Sequence, residues 1–321
     1  MRKTQLIIVF CFLILHSLSG QELKTIRVSP QWTPQSQFAG FYVADIKGFY
    51  TEEGIKVQFV HPSPSNSAKN KLVNGEADVI TSQLIEAILY RDEFVPIVNI
   101  MQTSQQNSLL IVSRTPIDTI TDLSNKRIGR WKIGFYEIAT ILDANNGLNI
   151  DWIPFIHSSS LFLSGAIDAT LAMNYNEYFQ ILSSGRKVTE DYVFSFAKNG
   201  YNIPEDGIYT TEEFLESHKK ELAAFTRATK KGWEYCRTHK KEALQIVMET
   251  AKNNNIKTNL RLQEWMLEKI LNSQLDSTGK APYTLIKEQF NLANDILYNN
   301  NFIFENIEYT DFVKTLENEK H

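Results

Sequence analysis

The sequence predicts an α/β fold built from two similar lobes. Strand-like and helical segments alternate through the first two-thirds of the 321 residues, which is typical of parallel α/β units. A short glycine–aspartate pattern occurs twice within this alternation, and the last third of the chain has mainly helical periodicity. The length is compatible with one large domain or with two domains of about 150 residues each.

The first series of segments supplies five predicted strands. Runs rich in β-branched residues, bounded by turn residues, indicate them. They are TIRVS (25–29), KVQFV (56–60), ADVITS (77–82), PIVNIMQTS (96–104) and SLLIVS (108–113). Helices are predicted over residues 37–47 and 66–75, and the second of these ends at a glycine suited to a left-handed cap.

A second series has the same alternation. Its predicted strands are KRIGRW (126–131), IDWIPF (150–155) and DATLAM (168–173), with helices over residues 135–145 and 158–165. The segments LVNGEADVITSQ (72–83) and FLSGAIDATLAMN (162–174) share one order of features. In each, a helix ends at a glycine, an aspartate follows three residues later, and an apolar strand comes next. This short repeat indicates two lobes of similar construction. Further helices are predicted over 210–251, 260–271 and 282–298.

The first twenty residues have the pattern of a secretory signal peptide. Arg2 and Lys3 precede the apolar run LIIVFCFLIL, and small residues follow it. We therefore expect residues 1–20 to be removed and the protein to be periplasmic or otherwise extracytoplasmic; a retained membrane anchor is the alternative. Cys11 lies inside the apolar run rather than just after it, which argues against a lipid anchor.

Composition excludes several classes of function. Without Arg2 and Lys3 the formal net charge is more negative than −4, which disfavours nucleic acid as a partner. The six histidines lack metal-ligand spacing, and neither a phosphate loop nor a nucleophile elbow is present. Cys236 is the one cysteine after the signal peptide, so no internal disulfide is expected. We expect a monomer without metal or cofactor that is not an enzyme.

Polar and aromatic residues follow several of the predicted strands. Ligands of open α/β sheets bind beyond the carboxyl ends of the strands, and aromatic rings and amides suit a planar molecule. The candidate ligand contacts are Gln31, Trp32, Phe38, Tyr42, Ser82, Gln83, Gln102, Trp131, Asn174, Tyr175 and Glu177. Alternatives stay open at this point: Trp32 can fill a core, Ser82 and Gln83 can form a plain cap, and Glu177 can cap the helix that follows it.

Several segments resemble the SsuA/THI5-like (NMT1-like) substrate-binding proteins of ABC importers. They include QWTPQSQFAGFYVADIKGFYTEEGIKV, LVNGEADV, DLSNKRIG and MNYNEY, and the similarity runs from about residue 26 to 271. The resemblance implies a type II periplasmic binding protein, with two α/β lobes joined by two crossover strands and the ligand in the cleft. Lobe 1 is expected at residues 21–115 and 208–321 and lobe 2 at 116–207. An ABC permease at the inner membrane is the implied partner.

The resemblance leaves three kinds of ligand chemistry open. One branch binds formylaminopyrimidine, a thiamine precursor, and another binds sulfonates such as taurine. A third consists of THI5-type enzymes that consume a histidine and bound pyridoxal phosphate, but Ser82 and Glu86 stand at the matching positions here. Glu177 favours the exocyclic amine of an aminopyrimidine, because a carboxylate repels a sulfonate. Arg130 is the residue that could hold an anion instead. A ligand sensor that signals to a membrane partner is a further alternative.

Overall fold

Two mixed, five-stranded sheets form the centre of the fold in the computed structural model, which describes residues 23–132, 134–155 and 159–316. The predicted signal peptide lies outside the described residues. Within the described ranges the strands are β1 (Lys24–Ser29), β2 (Ile55–Phe59), β3 (Val79–Gln83), β4 (Ile97–Gln102), β5 (Leu109–Ser113), β6 (Arg127–Trp131), β7 (Asp151–Phe155), β8 (Ala169–Met173), β9 (Val193–Ser195) and β10 (Asp206–Thr211).

The two sheets have the same topology. Their strand orders are β2-β1-β3-β10-β4 and β7-β6-β8-β5-β9. In each sheet three neighbouring strands are parallel, and the fourth runs antiparallel to both of its neighbours. We call the first sheet with its helices lobe 1 and the second lobe 2. The prediction of an α/β fold with two similar lobes is confirmed.

The glycine–aspartate repeat makes the same contacts in both lobes. Gly75 and Gly165 adopt positive φ angles of 68° and 87°, which end the preceding helices. The aspartate three residues later accepts a hydrogen bond from a backbone N–H group of the neighbouring strand. These pairs are Asp78 with Arg27, at 2.7 Å, and Asp168 with Arg127, at 2.8 Å. The repeated sequence pattern therefore connects adjacent strands in the same way twice.

Helices cover both sheets. They are α1 (Ala39–Ile46), α2 (Phe49–Glu52), α3 (Ala68–Val73), α4 (Leu84–Asp92), α5 (Glu137–Asn146), α6 (Ser160–Ser164), α7 (Glu177–Ser183), α8 (Glu212–Ser217), α9 (Lys219–Thr238), α10 (Lys240–Asn253), α11 (Leu260–Ser273), α12 (Lys287–Asn299) and α13 (Tyr309–Phe312). In the C-terminal third, α9 and α10 pack on α1, and α12 packs on α4. Among the described helices, none combines the length and the hydropathy needed to cross a bilayer.

Helices α1 and α9 approach each other closely at two glycines. A side chain added at Gly232 would overlap the carbonyl oxygen of Gly40 and lie 2.9 Å from the Cβ of Ala44. At Gly40 the side chain would meet the ring of Trp233, which is fully buried. Only glycine permits so short a distance between the two backbones. The packing of α1 on α9 then fixes the position of the segment between β1 and α1.

Two chain segments connect the lobes, at residues 103–108 and 196–205, and hydrogen bonds join one to the other. The N–H of Thr103 donates to the carbonyl oxygen of Asp206 at 2.9 Å. The N–H of Glu205 donates to Ser104 Oγ at 2.7 Å, and the N–H of Ser108 donates to Glu205 Oε1 at 2.8 Å. The two connections therefore form one bonded unit.

One expected boundary differs from the sheet topology. Strand β5 was assigned to lobe 1 by the division at residue 115, but it pairs with β8 and β9 in lobe 2. The reason is that the chain crosses before β5 rather than after it. We propose residues 23–102 with 206–316 as lobe 1 and 109–195 as lobe 2.

Candidate functional site

A cavity of about 250 Å³ lies between residues of the two lobes. Lobe 1 contributes the segment after β1, and lobe 2 contributes the ends of β6 and β8 with the start of α7. Its lining residues are Gln31, Trp32, Gln35, Gln37, Trp131, Phe135, Met173, Tyr175, Asn176, Glu177 and Gln180. Among these described residues, aromatic rings and amides predominate, Glu177 is the acidic residue, and none is basic.

Aromatic side chains reach the cavity from both lobes. Trp32 follows β1 in an irregular segment framed by Pro30 and Pro34, and its side chain is 40% exposed. Trp131 ends β6 and is held edge-on against Phe135, with 5.8 Å between the ring centroids. The two tryptophans thus give the cavity one partly exposed ring and one ring that is fixed by packing.

Glu177 is the first residue of α7 and is almost fully buried. Its Oε2 accepts the N–H of Met173 at 3.0 Å, and its Oε1 accepts Asn176 Nδ2 at 2.9 Å. Burial raises the pKa of this carboxyl, while the Met173 N–H acts in the opposite direction. The carboxyl group thus connects the start of α7 to the end of β8 and also lines the cavity.

A buried carboxylate that the sequence analysis did not identify lies behind the lobe 1 side of the cavity. Asp206, the first residue of β10, accepts Gln31 Nε2 at 2.9 Å and Gln37 Nε2 at 2.9 and 3.1 Å. Gln37 Nε2 also lies 3.3 Å from the hydroxyl of Tyr175 in lobe 2. Gln35 Nε2 in turn donates to Gln37 Oε1 at 2.6 Å.

A second, water-sized chamber of about 20 Å³ adjoins the cavity, and the two share Phe135 and Met173. Gln83 and the buried carboxyls of Glu137 and Glu205 line it. Burial raises the pKa of Glu137. The described residues contain no cluster of three or more side chains suited to a metal ion.

Three carboxyl groups around the interface of the lobes have strongly raised pKa values. Burial and the neighbouring charge of Asp206 raise the pKa of Glu205 to about 8. Burial and the charge of Glu137 raise that of Glu86 to about 7, and burial raises that of Asp206 to about 6. Each of these groups holds its proton more tightly in the folded state than in the unfolded chain.

These shifts predict a pH dependence of stability. Between about pH 5 and pH 8 the folded state binds more protons than the unfolded chain, so the free energy of unfolding should fall as pH rises. Glu205→Gln should reduce that slope, since its amide oxygen can still accept the Ser108 N–H without titrating. Urea unfolding of both proteins at several pH values is the measurement. Equal slopes would contradict the assignment of Glu205 as a main contributor.

Five of the predicted contacts line the cavity, and the other six do not. Gln31, Trp32, Trp131, Tyr175 and Glu177 belong to the lining, whereas Phe38, Tyr42, Ser82, Gln83, Gln102 and Asn174 lie elsewhere. The backbone of Asn174 is used between lobes, because its carbonyl oxygen accepts Trp265 Nε1 at 2.8 Å. Gln83 borders only the small chamber.

The other predicted contacts that lie outside the cavity have structural roles in lobe 1. Phe38 and Tyr42 are one turn apart and buried in the core, where Tyr42 packs edge-on against Phe59 at 5.1 Å. Ser82 Oγ donates to Glu86 at 3.3 Å. Gln102 is fully buried, and its Nε2 donates to the carbonyl oxygen of Asp206 at 3.0 Å, so its amide supports the connection between the lobes.

Arg130, the alternative anion contact, does not line the cavity. Its guanidinium lies 4.1 Å from the centroid of the Tyr136 ring, and Nη1 donates to the Trp131 carbonyl at 3.1 Å. The cavity lining also includes residues that were not among the predicted ligand contacts, such as Gln35 and Gln37. The glutamine-rich sequence around Trp32 was the signal that could have identified these two; Asp206 had no comparable local signal.

Comparison with known proteins places these features in context. A family model described as NMT1/THI5 like matches residues 35–243. The formylaminopyrimidine-binding protein of Halalkalibacterium halodurans is 24% identical over 271 residues, covering 81% of this chain and 80% of that protein. The riboflavin-binding protein RibY of Chloroflexus aurantiacus is 23% identical over 222 residues, covering 65% and 62%.

Among solved structures, the periplasmic aliphatic sulphonate binding protein SsuA from Escherichia coli matches with a TM-score of 0.67. The two are 13% identical, and the match covers 91% of this chain and 92% of the other. The overall fold is therefore that of periplasmic binding proteins, in agreement with the fold expected from the sequence.

Proposed function

We propose that this chain, which belongs to the NMT1/THI5-like family, is the extracytoplasmic substrate-binding component of an ABC importer. Its ligand is a small, planar, aminopyrimidine-like molecule held between the lobes. The formylaminopyrimidine-binding relative supports this ligand class. The partner is an ABC permease in the membrane, to which the monomeric protein delivers its ligand.

The chemistry of the cavity carries this proposal. Rings from both lobes surround a space of about 250 Å³, and the charged residue among the described lining is the acidic Glu177. A sulfonate would bring a second negative charge to a poorly solvated carboxylate, which is unfavourable in a low dielectric. An exocyclic amine instead donates a hydrogen bond to it, and the flat ring of the ligand contacts the tryptophans.

Transport by this protein requires closure of the lobes and no covalent chemistry. Contacts between the lobes are already present: Trp265 of α11 donates to Asn174, and its ring lies 5.3 Å from that of Phe179 in α7. A ligand that binds residues of both lobes favours the closed arrangement.

Binding measurements test the proposal directly. Calorimetry with 4-amino-5-hydroxymethyl-2-methylpyrimidine, its N-formyl-aminomethyl counterpart, riboflavin and taurine should give an affinity for the aminopyrimidines and none for taurine. A ligand present at a hundredfold excess over its Kd should add about 2.7 kcal/mol to the free energy of unfolding. Binding of taurine alone would replace the proposed ligand class, and binding of riboflavin alone would point to a larger flat ligand.

Glu177→Gln should weaken aminopyrimidine binding about tenfold, because it replaces a charged acceptor by a neutral one. The effect is modest, since the glutamine oxygen can still accept the Met173 N–H that supports α7. The matched control is Glu190→Gln, an exposed residue of the same lobe. Calorimetry on the three proteins is decisive: unchanged affinity in Glu177→Gln would remove this residue from ligand recognition.

A further inference from the structure

The three glutamines on the lobe 1 side of the cavity are oriented by one carboxylate. Asp206 accepts the Nε2 groups of Gln31 and Gln37, and Gln37 Oε1 accepts Gln35 Nε2. All three glutamines line the cavity, whereas Asp206 lies behind them. The amides of Gln31 and Gln37 therefore direct their N–H groups towards Asp206, whereas the N–H group of Gln35 is directed towards Gln37 Oε1.

The charge of Asp206 determines this orientation. An ionised carboxylate can only accept hydrogen bonds, so an amide that faces it must present its nitrogen. Although burial raises the pKa of Asp206 to about 6, it remains ionised at pH 7.5. The consequence is visible at Gln31, whose Oε1 is buried and accepts no hydrogen bond from the described residues. A buried acceptor without a donor is costly, and a ligand N–H can satisfy it.

We propose that Asp206 is a positioning residue that fixes the polarity of the ligand site: by holding Gln31 Nε2 it leaves Gln31 Oε1 as a hydrogen-bond acceptor, so that the site selects ligands by their N–H donors. The proposal rests on the function proposed above and adds a second acceptor to that of Glu177. With its amide reversed, Gln31 would present N–H groups and favour ligands that offer only acceptors, such as sulfonates or alkoxy-pyrimidines.

Asp206→Asn tests this role. Asparagine offers one acceptor and one donor, so one of the two glutamine amides is expected to turn and present its Nε2 to the cavity. The probes are 4-amino-5-hydroxymethyl-2-methylpyrimidine and its 4-methoxy analogue. The wild-type protein should prefer the amino probe by about tenfold or more, and Asp206→Asn should reduce that preference to about threefold or less.

Asp78→Asn is the matched control, because it makes the same exchange at a buried aspartate of the same lobe that bonds to Arg27. It should lower the thermal midpoint without altering the ratio of the two affinities. If Asp206→Asn does not fold, Gln31→Met removes the unpaired acceptor at nearly constant volume. It should weaken binding of the amino probe more than binding of the methoxy probe, so that the preference for the amino probe falls.

The outcomes separate this inference from the proposed function. If wild-type protein binds neither pyrimidine, the proposed function is wrong and the inference falls with it. If the wild-type protein prefers the amino probe and Asp206→Asn keeps the full preference, only the role of Asp206 is overturned. Where Asp206→Asn is unfolded, an unchanged preference in Gln31→Met has the same meaning. A ratio that falls equally in Asp78→Asn would also overturn it, since general loosening of lobe 1 would then explain the effect.

Discussion

Replacing Gly232 by alanine is expected to lower the free energy of unfolding by about 3 kcal/mol, at the upper end of the cost of overpacking. The added methyl group would overlap the carbonyl oxygen of Gly40, which is backbone and cannot rotate away. Helices α1 and α9 would have to separate, and with them the buried ring of Trp233 would lose its contacts. Urea unfolding followed by tryptophan fluorescence measures the change.

The control for this variant is Lys231→Ala, one residue earlier on the exposed side of α9. Removal of its side chain breaks a surface ion pair with Glu52 and a cation–π contact with the ring of Phe49, so the free energy of unfolding should change by about 1 kcal/mol or less. A Gly232→Ala protein as stable as the control would show that the two helices are not in fixed contact at this point.

Trp32→Ala should weaken binding of the aminopyrimidine probe by about 10- to 100-fold, the range that loss of one aromatic stacking partner of a base produces. Because the side chain is 40% exposed and lies outside the sheet core, its removal should leave the chain folded, with a loss in the free energy of unfolding of about 1 to 2 kcal/mol. The measurement is calorimetric affinity together with urea unfolding, so that loss of binding is separated from loss of folding.

Phe304→Ala provides a comparison for Trp32→Ala. Phe304 is an aromatic residue of the same lobe that is 88% exposed and lies outside the cavity lining. Its replacement should alter neither affinity nor stability. Full affinity in Trp32→Ala would mean that the ligand does not lie against this ring, and the site would then have to be sought away from the segment after β1.

Local sequence signals predicted most of the sheet architecture. Strands β1 to β8 were expected from runs of β-branched residues, and the repeat that contains Asp78 and Asp168 indicated the second lobe. Strands β9 and β10 were missed. Strand β10 lies between β3 and β4 in the sheet. It is short and is followed directly by helix α8, so its sequence has too few residues with strand-like alternation to indicate a pairing across more than a hundred residues.

The site was harder to predict than the fold. Trp32, Trp131 and Glu177 follow strands, and the rule that ligands bind beyond strand ends was enough to select them. Helical periodicity cannot separate a cavity from a core, and for that reason Phe38 and Tyr42 were selected although both are buried. Asp206 acts through glutamines about 170 residues away in the chain, a relation that only the folded structure establishes.

The place of β10 between β3 and β4 also sets the order in which the molecule can be completed during synthesis. Strand β4 pairs with no other strand of the described sheet, so it stays outside until residues 206–211 have left the ribosome. By then the continuous stretch 109–195 has been made in full. Lobe 2 can therefore fold before the lobe 1 sheet is complete, and the cleft between the lobes forms last.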